Sequence, residues 1–476
     1  MSVRDGDELV VAIPPSVRRV LRTLRDAGHE AALVGGCVRD VVRGETSTDW
    51  DVATSGPPEA VAALFPGSSW ENRFGTVTVT AADGGGPAVE ATTYRVEGPY
   101  LDGRRPAEVR WGTSLHGDLS RRDFTINAMA WVPSDPATMD AGTLVDPFHG
   151  ADDLRAGVLR AVGDADERFA EDALRLVRAV RFAVRFDLRL DPATERAIRR
   201  NASAAAALSG ERVRDELTQI LRGQAPSRAF ALMESLGLLD VLLPELAALR
   251  GVPQAKSPPG DALDHSLRTV DALPAHDPAL RMAGLLHDLG KATTLADGHF
   301  IGHEREGAQL AERVLRRLRT PNADLARITA LIRHHMFAYA PAWTDAAVRR
   351  FVRRVGEARL DDLFSLRAAD NLASGAREPA TGGLDELRAR ARHVVEADPI
   401  RPGQLAVDGH DLMRELGIEP GPLVGRLLAQ LFEAVLDAPE LNKREALLRL
   451  ARERAASASG GAAAHRQAGA SSEAGE

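Results

Sequence analysis

The segment Val34-Gly-Gly-Cys-Val-Arg-Asp40 is followed closely by Thr48-Asp-Trp-Asp-Val-Ala-Thr54. The Gly-Gly pair is predicted to turn a strand into a short helix, and its backbone can approach a ligand closely because glycine has no Cβ. Asp49 and Asp51 are two residues apart in a strand-like sequence, so their side chains are predicted to point to the same face. Two such carboxylates can bind Mg²⁺ together with the phosphates of a substrate. This stretch therefore predicts an α/β site for phosphate chemistry.

The composition is typical of a globular protein with several domains. The chain has 476 residues, 44% hydrophobic and 27% charged, and this length predicts roughly three domains. No apolar run is long enough to cross a membrane, and the N-terminus lacks the basic and apolar pattern of a secretion signal. The single cysteine, Cys37, excludes an internal disulfide and is typical of a reducing cytoplasm. Because the formal net charge is −8, nucleic acid is expected to bind only at a local basic patch.

The order of predicted elements indicates an α+β protein whose strands lie near the N-terminus. An amphipathic helix is predicted over residues 17–28, and strands are predicted over 30–34, 76–81, 88–95 and 108–111. Helical spacing dominates from about residue 151, with helices predicted over 167–186, 194–207, 211–221 and 227–236. Residues 456–476 are mostly Ala, Gly, Ser and Glu without periodicity, which predicts disorder.

Three further motifs carry charged residues in ordered patterns. Glu90, in Val89-Glu-Ala-Thr-Thr-Tyr-Arg95, is a candidate third carboxylate on a neighbouring strand. Arg122 lies in Ser120-Arg-Arg-Asp-Phe-Thr-Ile-Asn-Ala-Met-Ala130, and a guanidinium fork suits phosphate oxygens. In Glu171-Asp-Ala-Leu-Arg-Leu-Val-Arg-Ala-Val-Arg181, charged residues recur every three positions, on one side of a helix. Taken alone, the last two motifs also fit a capped helix and a salt-bridged amphipathic helix.

Together these motifs resemble the nucleotidyltransferase superfamily that contains tRNA CCA-adding enzymes and bacterial poly(A) polymerases, most closely over about residues 28–225. The resemblance implies that Asp49, Asp51 and Glu90 are catalytic and that the two aspartates bind Mg²⁺. It also implies a nucleotide-binding set made of Gly35, Gly36, Arg39, Arg122, Asp172, Arg175, Arg178 and Arg181. Within this set Asp172 would accept hydrogen bonds from the amino group of a base, and Arg175 would donate to the base's acceptors. Cytosine and adenine both present an amine beside an acceptor, so we expect a protein template for C and A.

Three other segments resemble parts of the same family. Val96–Val109 is rich in turn-forming and charged residues, and it resembles the flexible loop that CCA-adding enzymes use when they change from C to A addition. A plain hairpin connection is the alternative for this segment. Ser209–Leu217 resembles a helix-stabilising neck motif, which we interpret as structural. Glu419–Leu431 resembles the family's tail that packs on the tRNA elbow, where recognition depends mostly on shape and backbone.

A second group of residues predicts a metal centre in the helical region. The order His265, His287-Asp288, His303, His334-His335 and Asp370 resembles that of HD-domain phosphohydrolases. Imidazole and carboxylate together favour Mn²⁺, Ni²⁺ or a similar transition metal. We predict that His265, His287, Asp288 and Asp370 bind one metal, and that His303 with His334 or His335 binds a second metal or a substrate phosphate. Lys291 is a further candidate for phosphate contact.

The sequence therefore predicts a small α/β nucleotidyltransferase head followed by an elongated, mostly helical remainder. The expected domains are a head (1–150), a neck and body (151–257), an HD domain (258–395), a tRNA-contacting tail (396–455) and a disordered end (456–476). The expected activity is the addition of C, C and A to tRNA from CTP and ATP, with a phosphatase or 2′,3′-cyclic phosphodiesterase as an additional activity. Poly(A) polymerase, a partial CC- or A-adding enzyme, and an HD phosphohydrolase with an RNA-binding head are the alternatives. We expect a cytoplasmic enzyme with no membrane segment and no obligate protein partner.

Overall fold

The computed structural model describes residues 4–71, 75–80, 86–97, 109–112, 114–134, 139–254, 258–375, 382–398 and 401–456. The chain divides into two compact units. The first comprises Met1–Ala248 and Val314–Thr320, and the second comprises Leu249–Arg313 and Pro321–Glu476. In the described part of the chain, no helix is long and apolar enough to span a bilayer. The finer domain boundaries drawn from the sequence stay predictions.

An eight-stranded sheet occupies the N-terminal part of the first unit. Its strands are β1 (Glu8–Val10), β2 (Ala31–Val34), β3 (Trp50–Thr54), β4 (Ser69–Glu71), β5 (Thr76–Val79), β6 (Val89–Thr93), β9 (Ala130–Pro133) and β10 (Ala141–Val145). The strand order is β1-β10-β9-β2-β3-β6-β5-β4. Neighbouring strands pair antiparallel, except that β3 and β6 pair in parallel. A separate hairpin is formed by β7 (Arg95–Glu97) and β8 (Val109–Trp111). This sheet confirms the expected α+β class.

The hydrophobic core that packs against the sheet fixes the position of the Gly-Gly turn. All four residues of β2 are buried. Helix α1 (Pro15–Asp26) buries Val17, Val20, Leu21 and Leu24, a spacing of three and four residues that places them on one helix face. Each fully buried side chain of this size contributes about 1.5–3 kcal/mol. This packing fixes β2, so that helix α2 (Gly36–Val42) begins directly at its end.

Helices make up most of the rest of the first unit. They are α3 (Pro58–Leu64), α4 (Leu115–Ser120), α5 (Gly150–Ala156), α6 (Ala165–Glu171), α7 (Leu174–Arg185), α8 (Pro192–Asn201), α9 (Gly210–Leu221), α10 (Pro226–Ser235), α11 (Leu238–Leu242) and α12 (Pro244–Ala247). Two short strands, β11 (Val158–Leu159) and β12 (Arg189–Leu190), pair in parallel between them.

Helices, joined by turns and loops, make up most of the described residues of the second unit. Its helices are α13 (Ala262–Asp271), α14 (Pro278–Leu286), α15 (Lys291–Thr294), α16 (His303–Arg317, whose last turn belongs to the first unit), α17 (Asn322–His334), α18 (Asp345–Val355), α19 (Leu360–Ala373), α20 (Gly382–Ala397), α21 (Gly409–Leu416) and α22 (Pro422–Asp437). Residues 444–456 are also helical. Packing of α13 with α14 and α19 gathers the histidine-bearing segments.

Two predicted helices are divided in the structure. The helix expected over 167–186 is wrong as a single element, because Asp172 has an extended backbone (φ −147°, ψ 103°) that separates α6 from α7. The Asp172 carboxylate also accepts a hydrogen bond from the backbone N–H of Leu174, 3.0 Å away. The helix expected over 194–207 ends at Asn201 and continues as a 3₁₀ segment, Ala202–Ala207.

Most of the predicted flexible loop, residues 98–108, and the predicted disordered end, 457–476, lie outside the described residues.

Candidate nucleotide and metal sites

Three carboxylates meet where β3 and β6 lie side by side. Asp51 and Glu90 are register partners in the parallel pair, and Asp49 immediately precedes β3. All three line one cavity of about 540 Å³. Burial, followed by the negative charge of Asp49, raises the pKa of Asp51 to about 6. A raised carboxyl pKa means that the ionised group lacks sufficient compensating charge, so this oxygen cluster suits a divalent cation.

Gly35 makes room for Arg122 beside these carboxylates. Its φ is +74°, and a Cβ at this position would lie 2.7 Å from Nη1 of Arg122. Arg122 donates hydrogen bonds to Asp118 (3.2 Å) and to the backbone oxygen of Asn127 (3.3 Å). The positive charge of Arg122 opposes the rise in the pKa of Asp51 that burial causes. The glycine turn at Gly35 and the fixed guanidinium of Arg122 therefore line the same cavity as the acidic cluster.

Arg39 is buried at the other side of the Gly-Gly turn, with 5% of its surface exposed. Its Nη1 donates to Oδ1 of Asn127 (2.7 Å), and its Nε donates to Asp40 (2.9 Å). The guanidinium also lies 4.3 Å from the ring centre of Phe186, a distance that allows a cation–π interaction. These contacts fix a positive charge at the wall of the cavity.

Asp172 and Arg175 flank the interruption between α6 and α7. The Arg175 guanidinium donates to two backbone oxygens, those of Arg168 (3.0 Å) and Arg121 (2.9 Å), and to the Glu171 carboxylate (2.5 Å). A guanidinium has five N–H donors, so Nε–H and one Nη2–H have no partner among the described residues. Asp172 accepts a hydrogen bond from Arg212 (2.7 Å). Both side chains line the cavity with donors or acceptors still available.

Two buried acids hold the next two arginines of α7. Arg178 donates to Asp123 through Nε (2.8 Å), and Arg181 donates to Glu216 through Nε (2.6 Å). Asp123 also accepts a hydrogen bond from Asn127 (3.0 Å). Burial alone would raise the pKa of Asp123, but the charge of Arg178 and these hydrogen bonds lower it below its usual value.

The structure brings every predicted nucleotidyl-transfer residue of the head and neck to the same cavity. Its lining includes Gly35, Gly36, Arg39, Asp49, Asp51, Glu90, Arg122, Asp172, Arg175, Arg178 and Arg181. The sequence interpretation missed the holding roles of Asp123, Asn127 and Glu216. Asp123 and Asn127 lie within the Arg-Arg-Asp motif, and Glu216 lies in the neck motif that was interpreted as structural. The motifs therefore indicated the positions of these residues, but not which arginines they hold.

The histidines of the second unit converge on one carboxylate. His265 and His287 form a ligand group with Asp288, and His303 and His335 form another group with the same Asp288. The Nε2 atoms of His287, His303 and His335 lie 3.2, 3.5 and 3.8 Å from Asp288 oxygens. Asp370 is 3.0 Å from Nε2 of His265.

Three of these imidazoles are oriented by the backbone. Nδ1 of His287, His303 and His335 lies 2.6–2.8 Å from the carbonyl oxygen three residues earlier. A hydrogen bond at Nδ1 leaves Nε2 as the ligand atom, and these three buried Nε2 atoms have no hydrogen-bond partner among the described residues. Burial and the charge of His287 lower the pKa of His335 to about 3. Imidazoles whose Nε2 atoms surround a carboxylate therefore fit a transition metal.

His334 is not in this cluster. Neighbouring helix residues point about 100° apart, and His335 occupies the inward position. His334, which the sequence offered as the alternative ligand, is therefore absent from the ligand groups. Lys291 donates to Asp288 at 2.5 Å. A cavity of about 450 Å³ opens beside Asp288, Lys291 and Asp370.

The sheet, the acidic cluster and the arginine-lined cavity define a nucleotidyltransferase head. Comparison with known proteins agrees: the poly A polymerase head domain matches residues 31–160, a probable RNA-binding region of polymerase A matches 187–249, and a putative tRNA nucleotidyltransferase domain 2 matches 305–451. The A-adding tRNA nucleotidyltransferase of Deinococcus radiodurans is 37% identical, over 85% of this chain and 91% of its own. The CCA-adding enzyme of Lactiplantibacillus plantarum is 33% identical, over 92% and 95%.

Solved structures give the same result. The Bacillus stearothermophilus CCA-adding enzyme in complex with CTP superposes with a TM-score of 0.69 at 29% identity, covering 94% of this chain and 100% of its own. The Thermotoga maritima CCA-adding enzyme complexed with tRNA shares the fold, with a TM-score of 0.54 at 20% identity, and covers 94% and 99%. The chain therefore belongs to the family of bacterial tRNA nucleotidyltransferases with a poly A polymerase head.

Proposed function

We propose that this chain adds C, C and A stepwise to the 3′ end of tRNA, using CTP and ATP. The observation that carries the proposal is the convergence of eleven predicted residues on one cavity, with the carboxylates and the arginines both in its lining. Relatives named as CCA-adding enzymes, one of them solved with CTP, support the choice of substrates.

The acidic residues would act where the RNA end meets the triphosphate. Asp49 and Asp51 would hold Mg²⁺, which when bound lowers the barrier by neutralising charge on the reacting phosphate oxygens. The RNA 3′ oxygen forms a bond to the α-phosphorus, and the bond from that phosphorus to the pyrophosphate oxygen breaks. Glu90, the register partner of Asp51, would help remove the proton of the 3′ hydroxyl. The proposal includes a second divalent metal ion at this site, beside the first Mg²⁺.

The basic residues would bind the triphosphate. Arg122 and Arg39 are fixed by Asp118, Asp40 and Asn127 rather than free in solvent. The backbone at Gly35 and Gly36 allows phosphate oxygens to approach between them. Pre-positioned guanidinium groups of this kind lose little conformational freedom when they bind phosphate.

Base selection would depend on Asp172 and Arg175. The Arg175 guanidinium is anchored by three acceptors and keeps two N–H donors for a base. Asp172 would accept a hydrogen bond from the exocyclic amine of C or A. Guanine or uracil would leave a donor or acceptor unpaired, at about 1–3 kcal/mol per group.

The direct test uses three tRNA transcripts, ending before CCA, after C and after CC, each with one labelled nucleotide. Full CCA addition predicts incorporation of CMP on the first two transcripts and of AMP on the third, followed by termination. AMP incorporation on the third transcript alone would instead assign A addition, the alternative favoured by the Deinococcus radiodurans relative. Open-ended AMP addition to unrelated RNA would assign poly(A) polymerase and reject the proposal.

We also propose that the histidine cluster binds a transition metal such as Mn²⁺ or Ni²⁺ and hydrolyses phosphate esters at tRNA ends. The support is the set of buried Nε2 atoms without hydrogen-bond partners around Asp288 and the adjoining cavity with Lys291. His265, His287, Asp288 and Asp370 would hold one metal, and His303 and His335 would serve a second metal or a phosphate.

The test is hydrolysis of a tRNA 2′,3′-cyclic phosphate by Ni²⁺-treated full-length protein. Asp288→Asn should abolish hydrolysis, and Asp49→Ala/Asp51→Ala should leave it intact while abolishing nucleotide addition. If no hydrolysis occurs with Ni²⁺ or Mn²⁺, the second activity is rejected. If hydrolysis occurs but the wild type adds no nucleotide, the chain is an HD phosphohydrolase with an RNA-binding head.

A further inference from the structure

Asp172, the proposed acceptor for the amine of a base, is held by a helix that is distant in the sequence. One of its carboxylate oxygens accepts a hydrogen bond from the backbone N–H of Leu174 (3.0 Å). The other oxygen accepts from Nη2 of Arg212 (2.7 Å), which belongs to α9. A carboxylate offers about four acceptor sites, so Asp172 can accept both of these hydrogen bonds and a further one from a base.

Arg212 lies at the same cavity as the side chain that it holds. It contributes to the lining of the cavity of about 540 Å³, together with Asp172 and Arg175. Glu216 lies four residues after Arg212, on the same face of α9, and it accepts a hydrogen bond from Arg181 (2.6 Å). One face of α9 therefore supports two residues of the proposed nucleotide-binding set.

The pair of Arg212 with Asp172 is poorly suited to stabilising the neck. The two side chains are 38% and 23% exposed, and ion pairs with this much solvent contact add little to stability. Arg212 also lies in the first turn of α9, where the positive end of the helix dipole disfavours a cation. An effect on Asp172 explains this position better than a helix-stabilising role does.

We propose that Arg212 is a positioning residue for base selection, which holds the Asp172 carboxylate in the orientation that accepts from the exocyclic amine of cytosine or adenine. The inference rests on the proposed function, because it concerns how the same cavity selects CTP and ATP. Uracil and guanine present a carbonyl oxygen where cytosine and adenine present that amine, so they have no hydrogen bond to Asp172 that could be lost. Removal of Arg212 should therefore impair the use of CTP and ATP and spare that of UTP and GTP.

The experiment measures kcat/KM for CTP and UTP on tRNA ending before CCA, and for ATP and GTP on tRNA ending after CC. It compares full-length wild type with Arg212→Ala. The ratios of CTP to UTP and of ATP to GTP should each fall about tenfold, the scale of one lost hydrogen bond to a charged group. Arg212→Lys keeps a cation but not the planar fork, and it should recover part of each ratio.

A second comparison separates an effect through Asp172 from a general effect on the fold. When Arg212→Ala is added to Asp172→Ala, kcat/KM for CTP should show no further fall, because the group that Arg212 holds is already absent. A structural role would instead lower kcat/KM by the same factor in both backgrounds, and that result would overturn the inference.

The matched control is Arg214→Ala. Arg214 lies on the same helix, pairs with its neighbour Asp215 at 2.8 Å, and is absent from the described lining of the cavity. Its loss should leave both nucleotide ratios unchanged.

Unchanged ratios in Arg212→Ala would reject the proposed role. An equal fall of kcat/KM for all four nucleotides would also reject it, and would assign Arg212 to the triphosphate. If the wild type adds no nucleotide at all, the proposed function fails, and calorimetric dissociation constants for CTP and UTP then test Arg212 separately. A fall of about tenfold in their selectivity would support the positioning role, and an unchanged selectivity would overturn it.

Discussion

At the scale of single residues, the acidic cluster explains why this site needs a cation. Asp51 lies between Asp49 and its register partner Glu90, and Arg122 supplies only part of the compensating charge. The raised pKa of Asp51 is the electrostatic consequence of this crowding. The sequence predicted the shared face of the two aspartates, but it could not give the pairing of β3 with β6, because that contact depends on the order of strands in the sheet.

The pKa of Asp51, about 6 in the metal-free protein, predicts a pH dependence for Mg²⁺ binding. A carboxyl group that is protonated below pH 6 cannot bind the cation, so affinity should be highest above pH 7 and fall as pH decreases through 6. Calorimetric titration with MgCl₂ between pH 5 and 8 measures this. Asp51→Asn should bind weakly at every pH. Equal Mg²⁺ affinity of the wild type at pH 5 and pH 8 would contradict the assignment.

Gly35→Ala should damage the site as well as the backbone. The new Cβ would lie 2.7 Å from Nη1 of Arg122, and the backbone here (φ 74°, ψ −127°) is in a region that glycine adopts and residues with a Cβ avoid. We expect kcat for CMP incorporation to fall at least tenfold.

The matched control is Gly44→Ala. Gly44 has a similar φ of +77° but no atom within 4 Å of the added Cβ, so this variant carries the strain of a positive φ without the clash and should retain kcat. An equal fall of kcat in both variants would show that the clash with Arg122 is unimportant.

At the scale of elements, the interruption at Asp172 shapes the proposed template of α6 and α7. Helical periodicity predicted one continuous helix, because extended φ and ψ at a single residue leave no trace in a hydrophobic pattern. The interruption lets Arg175 reach the backbone oxygens of Arg168 and Arg121. The sequence motif therefore indicated where the proposed template lies, but its geometry depends on tertiary contacts with the segment around Arg121.

Glu216→Gln tests whether α9 positions the arginines of α7. The buried Glu216 carboxylate accepts from Arg181 and lies 3.8 Å from Arg178, and it belongs to a helix that the sequence analysis interpreted as structural. Loss of its charge should raise KM for CTP and ATP about 3–10-fold, since charge-assisted hydrogen bonds are about twice as strong as neutral ones. Glu216→Asp should recover part of the effect.

The control for this prediction is Glu195→Gln, which removes an exposed pair with Arg199 at 2.8 Å and should leave both KM values unchanged. A purely structural role for Glu216 would appear as a lower thermal midpoint without a change in KM.

At the scale of the whole molecule, the chain holds two candidate sites of different chemistry, one in each unit. The first site is built from oxygen ligands and guanidinium groups, and the second from imidazoles around Asp288. The two sets of candidate residues could be distinguished in the sequence because their residue types differ. It left the choice between His334 and His335 open, and only the helix packing shows that His335 faces inward.

Metal binding at the histidine cluster should stabilise the protein without affecting nucleotide addition. A metal at 100 times its dissociation constant contributes about 2.7 kcal/mol, so Ni²⁺ should raise the thermal midpoint of a chelator-treated sample. Asp288→Asn should abolish this increase and keep wild-type CMP incorporation. The prediction fails if Ni²⁺ stabilises wild type and Asp288→Asn equally.

The most direct measurement of the central claim is CMP incorporation into tRNA lacking CCA, as a function of MgCl₂, by wild type and Asp51→Asn. The account predicts Mg²⁺-dependent addition by the wild type and a loss of about 10²–10³-fold in the folded variant, the scale of removing a principal electrostatic group from a reaction centre. Near-wild-type incorporation by Asp51→Asn, with the same dependence on MgCl₂, would contradict the claim that this carboxylate anchors the cation.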